Sequence, residues 1–594
     1  MTRTNELAYR QEVTPHRRTG RFFPFLTWLR GYRTSDFRSD LVAGLTVAVV
    51  LIPQSMAYAM LAGMPPVYGL YAAAATPWIA ALWGSLRQLS TGPIAVMSLL
   101  VLTTLSPFAE PGTPQFIELA LLLSFMVGVF YLAIGVFRLG VIMSFISHSA
   151  VKGFTSAAAL IITATQLPHF LGLSVPKREY ILPMILDLIR GLPDVHLPTL
   201  AVGLLAFAVI YGLRKYRSNL PAALIALLVT TVPLVLLELP QSGIAVVGES
   251  PRGLPGFHIP SVDFRTISTL IGPALVLALV CFAETYSVGK AISAETKQKV
   301  DVDQEFIGQG LANLAGSFLQ AYPVGGSFSR TAINYSAGAR TGISSVVAGF
   351  SAALALLFLT PLFTYIPRAA LAAIVISAVL LLFHPREVLS LWRMNRHDGI
   401  VALTVFLLAL ATKPDYALLI GVVASLIFFM WKTMHPRVVR VTKDPELNMF
   451  LNGDVHGKPS CPQILELRSD NSIFFGNAEY TVEQMLSRLR GQQTPVKFLL
   501  LDFEAIGFVD VSAVDELRTL LDELRRQGTT LALIYVHQPV RTVLESTGFL
   551  KEMGQDTILG TRGVAISFLF QRLDHTYCRD ICPHKLFHEC FTVK

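Results

Sequence analysis

Residues 321–342 read AYPVGGSFSRTAINYSAGARTG, a polar stretch set among long apolar runs. It carries Ser327, Ser329 and Ser336, Arg330 and Arg340, Asn334 and the adjacent pair Gly325 and Gly326. Ionisable side chains at membrane depth are costly and face a partner or a water-filled cavity. Pro323 and the glycine pair interrupt regular structure. Ser327–Ala339 then restarts as a short helix whose N-terminus points inward. Such a start presents backbone N–H groups without intrahelical partners at the positive end of a helix dipole, which suits an anion. The stretch therefore implies a half-helix that holds an anion in mid-membrane, with the rest of the chain building and moving that site.

A second break supports this reading. Ser90–Ala95, within STGPIAVMSLL, is polar and interrupted by Gly92 and Pro93. It and Tyr322–Arg330 each form the third element of a seven-element half, and discontinuous segments at matching positions are the best sequence pointer to a transporter site. Two converging helix starts replace part of an oxyanion's hydration without a permanent counter-charge. On the first span, Gln54 and Tyr58 are four residues apart, hence on one helix face, and both follow a predicted break at Pro53. Glu284 is the one acidic residue inside the eighth span. It either takes up a proton or pairs with a cation, and Arg330 is its natural partner. A fixed ion pair and a proton switch that frees Arg330 for the anion are both consistent with this.

The chain has 594 residues, 53% hydrophobic and only 15% charged, against about 25% charged in soluble domains. It reads as a multi-pass α-helical membrane protein with about 14 transmembrane elements, two of them half-length. The net charge of +8 does not imply nucleic acid, because the basic residues fall in short loops between apolar runs. Alternate loops carry Arg138, Arg214, Lys215, Lys290, Lys297, Arg340, Arg386, Arg393 and Lys432, and the opposite loops are poorer, with Lys177, Arg178, Arg190 and Arg368 as exceptions, which places both termini in the cytoplasm. The expected organisation is a cytoplasmic N-terminal arm at 1–38, which contains Arg17, Arg18 and Arg21, and a transport domain at 39–433. A linker at 434–461, an α/β domain at 462–572 and a Cys/His-rich tail at 573–594 complete it. Pro462–Phe570 alternates strand and helix signals, as a compact α/β unit does. Polar loops are expected at 169–196 and 240–265.

The same residues carry a family resemblance. LVAGLTVAVVLIPQSMAYAMLAGMPPVYGLYAA (41–73), STGPIAVMSLL and the 321–342 stretch together resemble SulP/solute carrier family 26 anion transporters over nearly the whole chain. IPQSMAY, the Glu in FAETYSVGKA, and SFSR are most similar to the sulfate-permease branch, plant sulfate transporters included. The resemblance implies a seven-plus-seven inverted repeat as in uracil permeases and an elevator motion of a core domain against a gate domain. It also implies a homodimer and a C-terminal STAS domain. It places the anion at Gln54, Tyr58, Ala95, Ser327, Phe328 and Ser329, and makes Glu284 and Arg330 the proton-coupling pair. Bicarbonate carriers of the family differ: they use an Asp in the eighth span and lack the Arg after the tenth-element Ser. The expected activity is proton-coupled uptake of sulfate or a similar oxyanion through the cell membrane. The alternative is an uncoupled or sodium-coupled carrier or exchanger for bicarbonate or dicarboxylate, with STAS as a regulatory module. Moving a dianion into a negative interior costs roughly 4.6 kcal/mol per 100 mV, so uptake needs cotransported cations, exchange or a steep gradient.

DFEAIGFVDVSAVDEL (502–517) resembles the STAS signature. Ser512 with Asp515 has capping-box spacing; the resemblance offers phosphorylation of Ser512, or docking of a cytosolic partner on the domain, as regulatory alternatives. No Walker loop, zinc-protease motif or nucleophile elbow occurs in the chain, so no enzyme and no organic cofactor is expected. The tail YCRDICPHKLFHECF (577–591) gathers Cys578, Cys582, His584, His588 and Cys590. These are enough ligands for a tetrahedral Zn site, in a spacing that matches no common zinc motif; reduced thiols on a helix are the simpler reading.

Overall fold

Helix α1 (Thr34–Leu61) forms because an unbroken apolar run follows a polar first turn in which Asp36 accepts from Arg33 N–H at 2.9 Å. It starts inside the expected N-terminal arm and runs through Pro53 without ending. The predicted break there is a proline carried within the helix, as packed membrane helices tolerate. In a computed structural model, residues 23–592 are described apart from 30, 146, 177–179, 217–219, 237–242, 249–252, 261–262, 381–382, 384, 413, 445 and 555–556. The arm's Arg17, Arg18 and Arg21 lie outside the described residues.

The chain divides into two units, Met1–Ser425 and Leu426–Lys594. In the first, α2 (Pro66–Trp83) is followed by strand β1 (Thr91–Gly92) and α3 (Ala95–Leu105). Then come α4 (Pro114–Val136), α5 (His148–Leu171), α6 (Leu197–Tyr216) and α7 (Ala222–Leu236). The second half repeats the order: α8 (Phe264–Thr296), α9 (Val302–Phe318), β2 (Gly325–Gly326), α10 (Phe328–Ser336), α11 (Ile343–Phe358), α12 (Arg368–Val379), α13 (Arg396–Ala411) and α14 (Pro414–Met434). Among the described residues, α1, α4, α5, α6 and α8 are long and apolar enough to cross a membrane by themselves. At about 1.5 Å per residue, α3 and α10 reach only about halfway across a core of about 30 Å.

Packing sorts these helices into two groups. α1, α2, α4, α9 and α11 pack on one another, while α5 packs with α12 and α13, and α6 with α7 and α12. The expected polar loop at 169–196 holds a helix, Ile181–Gly191, whose Ile181, Met184 and Leu188 are buried on one face. That helical spacing is present in the sequence, but a short apolar run broken by Asp187 and Arg190 reads as a loop.

The second unit is built on a sheet in the order β4-β3-β5-β6-β7-β8. Its strands are β3 (Val438–Asp444), β4 (Met449–Asn452), β5 (Ile464–Ser469), β6 (Phe498–Asp502), β7 (Thr530–Ile534) and β8 (Ile558–Leu559). β5 to β8 run parallel, and β3 is antiparallel to both β4 and β5. The expected linker at 434–461 therefore supplies two strands; Val438, Val439 and Val441 are buried there. The FLLLD run of β6 serves both faces. Leu499 and Leu501 pack with α15 (Ala478–Arg490), α16 (Val511–Arg526) and α17 (Gln538–Ser546), whereas Phe498 and Leu500 pack with α18 (Arg562–Phe570). The 573–594 tail is not a free appendage. Leu573, Cys578, Leu586 and Phe587 are buried against that second face, Cys578 within helix α19 (His575–Asp580).

Within the alternating pattern of Pro462–Phe570, the apolar residues predict a strand at Ile473–Phe475 and one helix over Val540–Met553, and both differ in the structure. Ile473–Phe475 is not a strand; only Ile473 bridges, to Val509. The helix is divided at Gly548, whose φ of +77° suits glycine. Ser512 does not cap α16: Asp510 does, accepting from Ala513 N–H at 2.8 Å, and Asp515 pairs with Arg518 at 2.7 Å. Two residues too late for the cap, Ser512 is exposed on the first turn.

Arg562 at the start of α18 bridges the buried carboxylates of Glu466 on β5 and Asp502 on β6, each at 2.6 Å, and lies over the rings of Phe450 and Tyr535. Arg562→Ala strands two buried carboxylates and is expected to cost about 3–5 kcal/mol in this unit. Hydrogen exchange at β5 and β6 in the full chain measures it; unchanged protection contradicts the triad's structural role.

Candidate anion site between two helix starts

The two sequence breaks meet. β1 and β2 pair antiparallel, Thr91 opposite Gly326 and Gly92 opposite Gly325. Ser327 N–H donates to the Ser90 carbonyl at 2.9 Å, and Ser90 N–H to Thr331 Oγ1 at 3.0 Å. Each strand then turns directly into a short helix, α3 after β1 and α10 after β2. The pairing satisfies backbone groups that a membrane interior leaves costly, and because the strands are antiparallel it places the starts of α3 and α10 at opposite ends of the strand pair, with the N-termini facing one another across it.

Only glycine allows this closeness. A Cβ on Gly92, at φ +152°, would stand 3.2 Å from Arg330 Nη2 and 3.3 Å from Leu51 Cδ1. One on Gly326 would come within 2.9 Å of both Leu89 Cδ1 and Thr285 Cγ2. The first-turn amides of α3 have no intrahelical acceptor, and its cap residue, Ile94, supplies no side-chain hydrogen bond. On α10, Ser327 Oγ reaches Arg330 N–H at a long 3.5 Å.

The predicted side chains gather here. Ala95 opens α3, and Ser327, Phe328 and Ser329 open α10. Ala95 and Ser327 are buried, whereas Ser329 is exposed and Phe328 is 57% exposed, so the site is approached from the α10 side. Gln54 and Tyr58 are buried on α1. Gln54 Oε1 accepts from Arg330 Nη1 at 3.4 Å, and the Pro93 carbonyl accepts from the same nitrogen at 2.8 Å. Arg330 is 0% exposed, and its Nε and Nη2 have no hydrogen-bond partner. Glu284 Oε2 is likewise buried without one. Among the described residues, no ion pair within 4 Å joins Glu284 to Arg330, so the fixed pair considered from the sequence is not formed; each lies in the other's electrostatic field.

Sequence reasoning missed the residues that hold this geometry. Thr285 Oγ1 accepts from Gly326 N–H at 3.0 Å. Asn313 brackets Val324, with its Oδ1 2.9 Å from the Val324 N–H and its Nδ2 3.0 Å from the Val324 carbonyl. Buried Glu305 accepts from Ser85 and Leu86 N–H and from Gln309, which in turn reaches Thr91 Oγ1 at 2.8 Å. Asp40 accepts from the amides of Arg340 and Thr341 just beyond α10. The polar positions were visible in the sequence, but their partners lie in other helices.

Of the tail residues, Cys578, Cys582, His584 and Cys590 line one small cavity together with Cys461, and His588 does not. Among the described residues, no three His, Cys, Asp or Glu side chains converge in a metal-holding arrangement. Ser512 belongs to the second unit, on α16.

The fold and site define a class: helical membrane transporters with paired half-helices, followed by an α/β domain. A Sulfate permease family profile matches residues 37–405 and a STAS domain profile matches 455–563. The chain belongs to the sulfate permease family and is a multi-pass membrane protein. It is 34% identical over 552 residues to "Sulfate transporter 4.1, chloroplastic" of Arabidopsis thaliana, covering 90% of this chain and 80% of that protein. It is 32% identical to "Probable sulfate transporter MT1781" of Mycobacterium tuberculosis, covering 92% and 98%, and 31% identical to the "Sodium-independent sulfate anion transporter" of Bos taurus, covering 89% and 88%. In fold it is similar to the murine Solute Carrier 26 family member A9 anion transporter in the inward-facing state, with TM-score 0.85, 22% identity, and coverage of 96% and 97%. It also resembles the transmembrane domain of a cyanobacterial bicarbonate transporter, with TM-score 0.57, 20% identity, and coverage of 66% and 98%.

Gly92→Ala is expected to separate the two helix starts and lower anion uptake at least ~10-fold, equivalent to ~1.4 kcal/mol. Thr285→Val, which leaves the Gly326 N–H buried and unpaired, should cost about 1–3 kcal/mol. Uptake at matched surface expression, with thermal stability in detergent, checks both; wild-type values for Gly92→Ala contradict the packing argument.

Proposed function

We propose that this chain brings sulfate or a closely similar oxyanion into the cell together with protons, holding the anion between the N-termini of α3 and α10. The observation that carries the reading is Arg330: fully buried, with two guanidinium nitrogens unpartnered, beside two adjacent helix starts. A guanidinium and open backbone amides together recognise a tetrahedral oxyanion. Ser327, Ser329, Gln54 and Tyr58 add hydroxyl and amide donors around it. The relatives named as sulfate transporters support sulfate as the anion.

In this mechanism Glu284 sets the charge of the site. Ionised, it offsets part of the Arg330 field; protonated, it leaves that field to the anion. Proton binding and anion binding then favour one another, which is coupling in the thermodynamic sense. Protons entering with a dianion also remove the electrical cost of about 4.6 kcal/mol per 100 mV. The helices that pack with α1 would carry the site as a body against those that pack with α5 and α12, an elevator stroke. We place both termini in the cytoplasm, the transporter in the cell membrane as a homodimer, and the second unit as its regulatory module.

The test is labelled sulfate uptake into proteoliposomes with and without an imposed pH gradient. An inward proton gradient of about one pH unit supplies ~1.4 kcal/mol per proton, and uptake is expected to rise with it. Glu284→Gln should abolish that stimulation while keeping sulfate exchange, and Arg330→Met should lower sulfate uptake by roughly 100-fold. Uptake that is indifferent to the pH gradient but driven by sodium or by a counter-anion would replace symport with the alternative coupling.

A further inference from the structure

Four of the chain's five cysteines surround one cavity. Cys461 stands just before β5, Cys578 lies on α19, Cys582 follows that helix, and Cys590 is in the terminal 3₁₀ turn His588–Phe591. Cys461 is remote from the other three in sequence, so their meeting is a product of the fold and not of local spacing. The cavity holds about 10 Å³, which is room for one atom-sized guest and too little for an organic ligand.

One polar donor is aimed at these sulfurs: Gln463 Nε2 donates to Cys578 Sγ at 3.3 Å. The same side chain ties the tail to the sheet, giving to the Asp574 carbonyl at 3.1 Å and taking from the Asp574 N–H at 2.9 Å.

We propose that Cys461, Cys578, Cys582 and Cys590 bind one thiophilic divalent cation of the zinc class, as a structural site that locks the C-terminal tail to the start of β5. Among the described residues these side chains do not yet converge on a point; they stand on the cavity wall, and loading turns the thiols inward to sulfur–metal distances of about 2.3 Å. Four thiols lose four protons to the medium as four S–metal bonds form. The assignment differs from the one the tail sequence suggested: Cys461 enters, and His584, which lines the cavity, and His588, which does not, both leave the ligand set.

The test uses the full chain purified in detergent under reducing conditions. Elemental analysis should find about one zinc per chain. Exchange with Co²⁺ should give sulfur-to-cobalt charge-transfer absorption and the d–d bands of tetrahedral thiolate coordination. Cys461→Ser should lose both signals, while Cys281→Ser and His588→Ala keep them. Absence of zinc and of the cobalt bands while all four thiols react with an alkylating agent overturns the site. So does a disulfide among these cysteines in protein isolated without reductant, or a Cys461→Ser variant that retains the full metal content. The cobalt spectrum of the unmutated chain keeps the test valid if the serine variant does not fold.

Discussion

Two short backbone segments, Thr91–Gly92 and Gly325–Gly326, hydrogen-bond to each other inside the first unit. Everything proposed for the site depends on that pairing. Backbone polar groups away from water must find partners, and here each break in a membrane element satisfies the other. The consequence is geometric: two helices begin at opposite ends of one antiparallel strand pair, their N-termini facing, with amides that the helix itself cannot satisfy. Glycine is required because any side chain would fill the gap between the strands, Leu89 and Arg330.

Electrostatics completes what the backbone begins. Arg330 is anchored through one nitrogen, to the Pro93 carbonyl and Gln54, and leaves the rest of its guanidinium uncommitted. A buried charge without a carboxylate partner is expensive. It persists because the fold over-determines its position, through Glu305, Gln309, Thr285 and Asn313 around the strands. On the function proposed above, that stored cost is recovered when an anion binds. An apolar or neutral solute gains nothing from the same arrangement.

The sequence made the half-helices, Gln54, Tyr58, Glu284 and Arg330 visible, because Gly, Pro and charged residues are rare within apolar runs and conspicuous there. It did not show that Pro53 sits within a continuous helix, since tolerance of proline depends on neighbours. The separation of Glu284 from Arg330 was also hidden: two opposite charges suggest a pair, and only the fold shows Arg330 turned instead to Gln54 and the Pro93 carbonyl. In the second unit, strand and helix alternation located the parallel strands β5, β6 and β7 but not the two-residue β8. β3 and β4 were missed because they are antiparallel additions in a stretch of mixed polarity. The tail's packing was missed because Leu573, Leu586 and Phe587 follow no helical or strand period. Ser512 and Asp515 match a capping pattern, yet Asp510, two residues earlier, takes the cap.

The most direct measurement is the anomalous selenium signal in crystals of the protein grown with selenate, a tetrahedral dianion that stands in for sulfate. The account predicts a peak within hydrogen-bond reach of the first-turn amides of both Ala95–Leu105 and Phe328–Ser336, beside Arg330. A peak confined elsewhere, with the space between those two helix starts filled by protein groups, would contradict it.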